Sequence, residues 1–277
     1  MLNCFETDEI IKAALREDMA SGDITTDSLI DESSVSGAVY IAKQPGIIAG
    51  LGISERVFKV LDEKIEFIKK VEDRAYVDKG DIIAEIKGRT SALLKGERTS
   101  LNFLQHLSGI ATRTNEFVKR IKGLPVRIVD TRKTTPGLRG LEKYAVKVGG
   151  GYNHRYCLSD GVLIKDNHIK AAGGIKEAVY KIRESIPHTI RIEVETESLE
   201  QVREALDAAA DIIMLDNMSL DMMTEAVKLI DKKALVEASG NVCLDNVYDV
   251  AGTGVDIISV GELTHTVKAF DISMRFI

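Results

Sequence analysis

From about Pro125 onward one pattern repeats: a short β-branched run, a polar residue at its end, then a segment with apolar residues at helical spacing. The runs are Val126 to Val129, Val162 to Ile164, Ile190 to Val194, Ile212 to Leu215, Ala234 to Glu237 and Ile257 to Val260. The last four recur about every twenty residues, room for a strand, a crossover helix and two short loops. Connections of that length join parallel strands, so the alternation predicts a parallel sheet closed into an α/β barrel. Chemistry in such barrels gathers at the C-terminal strand ends. Here those ends carry Arg132 and Lys133, Lys165, Glu193 and Glu195, Asp216 and Asn217, Ser239 and Gly240, and Gly261.

The chain before this region reads differently. A helix over Asp8 to Asp18 leads to a turn, SGDITTD, then strand-like SGAVYIAKQPGIIAG and a helix from Ile53 to Leu61. KIEFIKKVED and VDKGDIIAEIKG add further strand signals, which together predict an α+β unit. A long helical stretch from about Ala92 to Lys122, broken near Gly109, connects it to the barrel. The terminal DISMRFI alternates like an edge strand and is expected to return to the first sheet. The expected division is an α+β domain over 1–108, joined by the C-terminal strand 268–277, and an α/β barrel over 109–267.

Charge says what the strand ends face. The chain carries a net charge of −6, yet Arg127 to Lys170 holds nine cations (Arg127, Arg132, Lys133, Arg139, Lys143, Lys147, Arg155, Lys165, Lys170) against Asp130, Glu142, Asp160 and Asp166. That stretch is therefore +5 and the remainder −11. A local reversal of sign attracts small polyanions. It is too local for nucleic acid, and no basic tail or basic-aromatic stripe accompanies it. No run approaches the ~20 apolar residues that span a bilayer, and the N-terminus lacks a basic then apolar leader, so cytoplasmic residence is expected. Cys4, Cys157 and Cys243 have no metal-ligand spacing and are expected to be free thiols; Cys157, inside the cationic stretch, is the one considered as a nucleophile.

Arginine offers a planar fork to carboxylate or phosphate, and lysine a movable point charge. Arg132, Lys133, Arg139, His154, Arg155 and Lys165 exceed the needs of one phosphate, so two anionic substrates or one highly charged substrate are implied. Glu195 and Asp216 on neighbouring strand ends suit either a hydrated Mg²⁺ or ribose hydroxyls. Glu193, two residues from Glu195, faces the same way along the strand. Ser239-Gly240-Asn241 and Gly261 each precede a helix start and read as phosphate cups, with His265 one turn beyond the second. Gly149-Gly150-Gly151 has no strand before it, so a dinucleotide fold is not supported.

Several stretches then fit one family: ERTSLNFLQHLSGIAT at Glu97 to Thr112, DTRKTTPGLR at Asp130 to Arg139, GGGYNHR at Gly149 to Arg155 and LIKDNHI at Leu163 to Ile169. EVET at Glu193, MLDNM at Met214, EASGN at Glu237 and SVGELTH at Ser259 continue the match. The chain resembles the quinolinate phosphoribosyltransferases. The resemblance implies an incomplete, seven-stranded α/β barrel with an N-terminal α+β open sandwich. It also implies a Mg²⁺-dependent reaction of quinolinate with phosphoribosyl pyrophosphate that yields nicotinate mononucleotide, pyrophosphate and CO₂. By the family pattern Arg132, His154 and Arg155 hold the quinolinate carboxylates, while Lys133 and Lys165 lie between that substrate and the pyrophosphate. Glu195 and Asp216 face ribose and metal, Ser239, Gly240 and Gly261 take the 5′-phosphate, and Arg98 reaches into a neighbouring subunit's site, so a homodimer is implied. Only six strand runs are visible, and the seventh is expected near Cys157 to Asp160 or nearer the domain junction. Competing readings are a molybdenum-transport-associated homologue of the same fold, a Schiff-base aldolase using Lys165, and a non-catalytic sugar-phosphate sensor.

Overall fold

A computed structural model of the chain describes residues 4–277, with side chains from residue 6 onward, so the Cys4 thiol lies outside the described residues. Two units emerge from its contacts. The first runs to Asn115 and takes in Thr134–Gly150 and Leu263–Ile277; the second comprises Glu116–Lys133 and Gly151–Glu262.

The first unit contains strands β1 (Val35–Ala42), β2 (Gly46–Ile47), β3 (Glu66–Lys69), β4 (Tyr76–Val77) and β5 (Ile82–Arg89). The second contains β6 (Arg127–Val129), β7 (Val162–Ile164), β8 (Ile192–Thr196), β9 (Ile212–Asp216), β10 (Leu235–Ser239) and β11 (Ile257–Ser259), and β12 (Ile272–Phe276) belongs again to the first.

In the first unit β12, β1, β5 and β3 form an antiparallel sheet in that order, with Ala38 opposite Phe276 where DISMRFI adds its edge. Alternation along β1 buries Ala38, Tyr40 and Ala42 against Leu51, Phe58, Leu101 and Leu104 of the covering helices. The Tyr40 hydroxyl, wholly buried, donates to Ser100 Oγ at 2.8 Å, which removes the penalty an unpaired polar group would carry there. SGDITTD is not a bare turn. Asp23 caps a helix, Ile24–Leu29, by accepting from Thr26 N at 3.0 Å.

The helix expected to break near Gly109 is continuous from Thr90 to Arg120. Its glycine serves close packing: a Cβ at 109 would lie 2.3 Å from the Lys268 carbonyl oxygen. Helical glycine signals a break only when the backbone leaves helical geometry, and here the neighbouring chain requires the missing side chain instead.

All six strand runs appear in the second unit as one parallel sheet, ordered β6-β11-β10-β9-β8-β7. The seventh position is not at Cys157 to Asp160, which forms a turn closed by Tyr156 N donating to Asp160 Oδ2 at 2.7 Å. It is Tyr152, a one-residue parallel bridge to Val129 on the free side of β6. Tyr152 N donates to Ile128 O at 2.9 Å and Asp130 N donates to Tyr152 O at 3.2 Å. One residue inside GGGYNHR leaves no β-branched run for a pattern to detect. Among the described residues no ladder joins Tyr152 to β7, so the barrel is left open on that side.

Candidate active site

Because the six strands are parallel, their C-terminal ends share one rim, and a cavity of about 590 Å³ opens there within the second unit. Arg132 and Lys133 reach it from beyond β6, Lys165 from β7, Glu195 from β8, Asp216 from β9, Ser239 and Gly240 from β10. His154 and Arg155, just past the Tyr152 bridge, complete the cationic side, and Asn241 lies beside Gly240.

Asp130, fully buried, shapes that cationic side. It accepts from Asn153 Nδ2 at 2.5 Å and from His154 N at 2.9 Å, which folds the NHR segment back over the end of β6. Arg155 Nη1 donates to Gly161 O at 2.7 Å. Burial, and then the charge of nearby Arg132, push the Arg155 guanidinium below its ordinary range. Two guanidinium groups brought this near one another favour an anion between them.

His154 is more committed than its motif suggests. Its Nδ1 accepts from Arg155 N at 2.8 Å, and its Nε2 lies 3.2 Å from Glu193 Oε2 and 3.5 Å from Glu237 Oε2. Glu193 and Glu237 are both buried, and burial followed by the Glu193 charge raises the Glu237 carboxyl to about 8.

At the ends of β7 and β8 Lys165 Nζ meets Glu195 Oε2 at 3.0 Å. Asp216 Oδ2 accepts from Asn217 Nδ2 at 2.8 Å, and Asn217 Oδ1 accepts from Asn241 Nδ2 at 3.0 Å. Both asparagines have positive φ, 53° and 51°, a conformation their short side chains tolerate. Gly240 between them has φ 92°, and a Cβ there would meet Asn217 Oδ1 at 2.2 Å. The β9 and β10 loops thus interlock, with the backbone of Gly240 laid bare to the cavity.

The cavity therefore gathers Arg132, Lys133, His154, Arg155, Lys165, Glu195, Asp216, Ser239, Gly240 and Asn241. Gly261 and His265 do not line it; His265 is exposed and its Nδ1 pairs with Thr266 Oγ1 at 2.6 Å. Arg98 is exposed on the helix Thr90–Arg120 of the first unit. Cys157 is also absent from the lining, and its Sγ contacts Ser159 Oγ at 3.1 Å, so nothing places it as a nucleophile. Asn217, which the strand ends had offered beside Asp216, also lines it, and residues that sequence reasoning missed include Glu237, Thr131 and Ser259. Glu237 had a signal: an acid in the middle of the apolar run LVEAS, where burial is expensive unless the group has a use.

Glu195 and Asp216 offer this cavity the hard carboxylate oxygens that a hydrated Mg²⁺ would require.

Residues 23–108 match the N-terminal domain of quinolinate phosphoribosyl transferase and residues 110–275 its C-terminal domain. The chain is 47% identical to a probable nicotinate-nucleotide pyrophosphorylase (carboxylating) of Bacillus subtilis, over 99% of this chain and 94% of that protein. It is 41% identical to the chloroplastic nicotinate-nucleotide pyrophosphorylase (carboxylating) of Arabidopsis thaliana, over 98% of this chain and 83% of that one. The crystal structure of NadC from Streptococcus pyogenes superposes with a TM-score of 0.96 at 43% identity, covering 99% of this chain and 97% of that one.

Proposed function

The chain belongs to the quinolinate phosphoribosyltransferase family, and on that premise we propose that its barrel cavity joins quinolinate to phosphoribosyl pyrophosphate. It is a phosphoribosyltransferase of de novo NAD synthesis, and the products are nicotinate mononucleotide, pyrophosphate and CO₂. The observation that carries the assignment of roles is that one cavity is lined by two guanidinium groups, two lysines and the carboxylates of Glu195 and Asp216.

Arg132 and Arg155 take the two quinolinate carboxylates, whose bidentate geometry matches their forks. His154 acts through Arg155, because its Nδ1 holds that residue's backbone N–H. Displacement at the anomeric carbon of the ribose builds positive charge on the sugar, which Glu195 and Asp216 face and stabilise. Lys133 and Lys165 meet the departing pyrophosphate. The Gly240 backbone, held open by the Asn217–Asn241 contact, receives the 5′-phosphate. Glu195 and Asp216 would hold Mg²⁺, which when bound would offset the charge of the pyrophosphate. Once its nitrogen is alkylated, the pyridine ring draws electrons from the neighbouring C–carboxylate bond, so decarboxylation needs no organic cofactor.

The expected result with Mg²⁺, quinolinate and phosphoribosyl pyrophosphate is nicotinate mononucleotide and CO₂ in equal amounts. Neither product forming across a range of pH and metal conditions would refute the assignment. Imine chemistry at Lys165 is disfavoured because its Nζ is engaged by Glu195 at 3.0 Å.

The active unit is a homodimer in which Arg98 of one subunit completes the other's site, and the enzyme works in the cytoplasm. No described helix is long and apolar enough to cross a membrane. Arg98→Ala and Lys165→Ala proteins, each inactive alone, should regain activity when mixed and allowed to exchange subunits, because each mixed dimer holds one intact site. Verified mixed dimers without activity would rule out the shared site.

A further inference from the structure

At the floor of the cavity two buried carboxyl groups meet a histidine whose tautomer the backbone fixes. Since His154 Nδ1 accepts the Arg155 N–H, the ring hydrogen resides on Nε2, facing Glu193 and Glu237. The three side chains are metal-ligating types with ligand atoms within 4.8 Å of one another, but a ring nitrogen that carries hydrogen has no lone pair for a cation. The trio is built as one donor between two acids.

One N–H cannot serve two ionised carboxylates. Glu193 Oε1 and Glu237 Oε1 are buried and make no hydrogen bond. Two acids this close, both out of water, cannot ionise together, so one of them keeps a proton. The surroundings select Glu237. It is 1% exposed yet lines the cavity, with Glu193 of β8 on one side, His154 above it, the Ser259 hydroxyl of β11 on the other side and the uncharged Met214 opposite it on β9. Glu193 does not line the cavity.

The reaction assigned above consumes one proton, and the inference rests on that reading. When the alkylated quinolinate loses its 2-carboxylate, the C2–carboxyl bond breaks, its electron pair stays on C2 and CO₂ departs. C2 must then gain a proton. Arginine does not release one, and Lys133 and Lys165 are placed on the departing pyrophosphate in that reading.

We propose that Glu237 is the general acid that protonates C2 of the decarboxylating nucleotide, with Glu193 and His154 as the positioning residues that hold its proton in place. The Glu237 O–H bond breaks as the C2–H bond forms. The carboxylate left behind is reprotonated by water when product leaves. Burial and the Glu193 charge keep the acid form at neutral pH, consistent with this role.

The test separates the two chemical steps. Glu237→Gln keeps the side chain's shape but has no acidic proton, and single-turnover release of pyrophosphate and of CO₂ is followed separately. Until C2 is protonated CO₂ can be recaptured, so a missing acid appears as slow net CO₂ loss. The pyrophosphate burst should persist while CO₂ release slows by about 10²–10³-fold and the alkylated dicarboxylate nucleotide accumulates. CO₂ release that keeps pace with pyrophosphate at the wild-type rate overturns the proposal. Should the variant fold poorly, the unmodified enzyme supplies the second readout. Because the raised group is protonated below about 8 and loses its proton above it, single-turnover CO₂ release should fall as pH rises through that value while the pyrophosphate burst does not. A profile in which the two releases stay matched through that range overturns the proposal. If the unmodified enzyme releases no pyrophosphate at all, it is the phosphoribosyltransferase reading that fails.

Discussion

Arg155→Ala should lower kcat/KM for quinolinate by about 30-fold to a few thousand-fold, the equivalent of ~2–5 kcal/mol for truncating one partner of a desolvated charge pair. The expected size follows from where the guanidinium sits. It is partly buried, anchored by Nη1 on Gly161 O at 2.7 Å, and held beside the positive charge of Arg132. A dicarboxylate relieves both charges at once, so the loss should fall on quinolinate and spare the KM for phosphoribosyl pyrophosphate. Arg155→Lys restores charge without the fork and should recover only part of the loss. Steady-state kinetics with each substrate varied in turn check this. Equal increases in both KM values, or a Lys variant as good as the native enzyme, would show that Arg155 supports the fold and not the carboxylate.

Gly240→Ala should strike the other substrate. The residue has φ 92°, where an L side chain is strained, and the new Cβ would fall 2.2 Å from Asn217 Oδ1 and 2.5 Å from Asn217 Cγ. Something must move, and what moves is the Asn217 side chain that ties Asp216 to Asn241. A displacement of about 1 Å at positioned groups costs on the order of 10²-fold in rate. The expected outcome is a fall of that order in kcat/KM for phosphoribosyl pyrophosphate, with quinolinate binding, followed by titration calorimetry, nearly unchanged. Stability should drop by only about 1–3 kcal/mol, the usual range for an overpacked position, and the thermal midpoint with it. An Ala variant with native kinetics toward phosphoribosyl pyrophosphate would remove Gly240 from the phosphate site.

These two residues were both legible before any fold was known, for different reasons. Arg155 stood out by charge and Gly240 by its place after a strand run, and both signals are local. Glu237 was passed over although it lies three residues from Gly240, because its neighbours make LVEAS read as an ordinary buried strand. The Tyr152 bridge was missed because a strand of one residue has no period, and Gly109 was misread because its partner, the Lys268 carbonyl, lies far along the chain.

Local sequence therefore determined the six parallel strands, the edge strand at the C-terminus and the cations and acids of the rim. Strand period, β-branching and charge are properties of neighbouring residues, and these were sufficient. The depth of each group in the barrel was decided only by tertiary structure. Glu193 and Glu195 share a strand face, yet closing the sheet puts the first under His154 and beside Glu237, out of water, and leaves the second at the mouth against Lys165. Residues 154, 193 and 237 come from three segments that no short window contains. What they can do depends on their separation and on the exclusion of water, and both arise from how strands pack and not from the order of residues along any one of them.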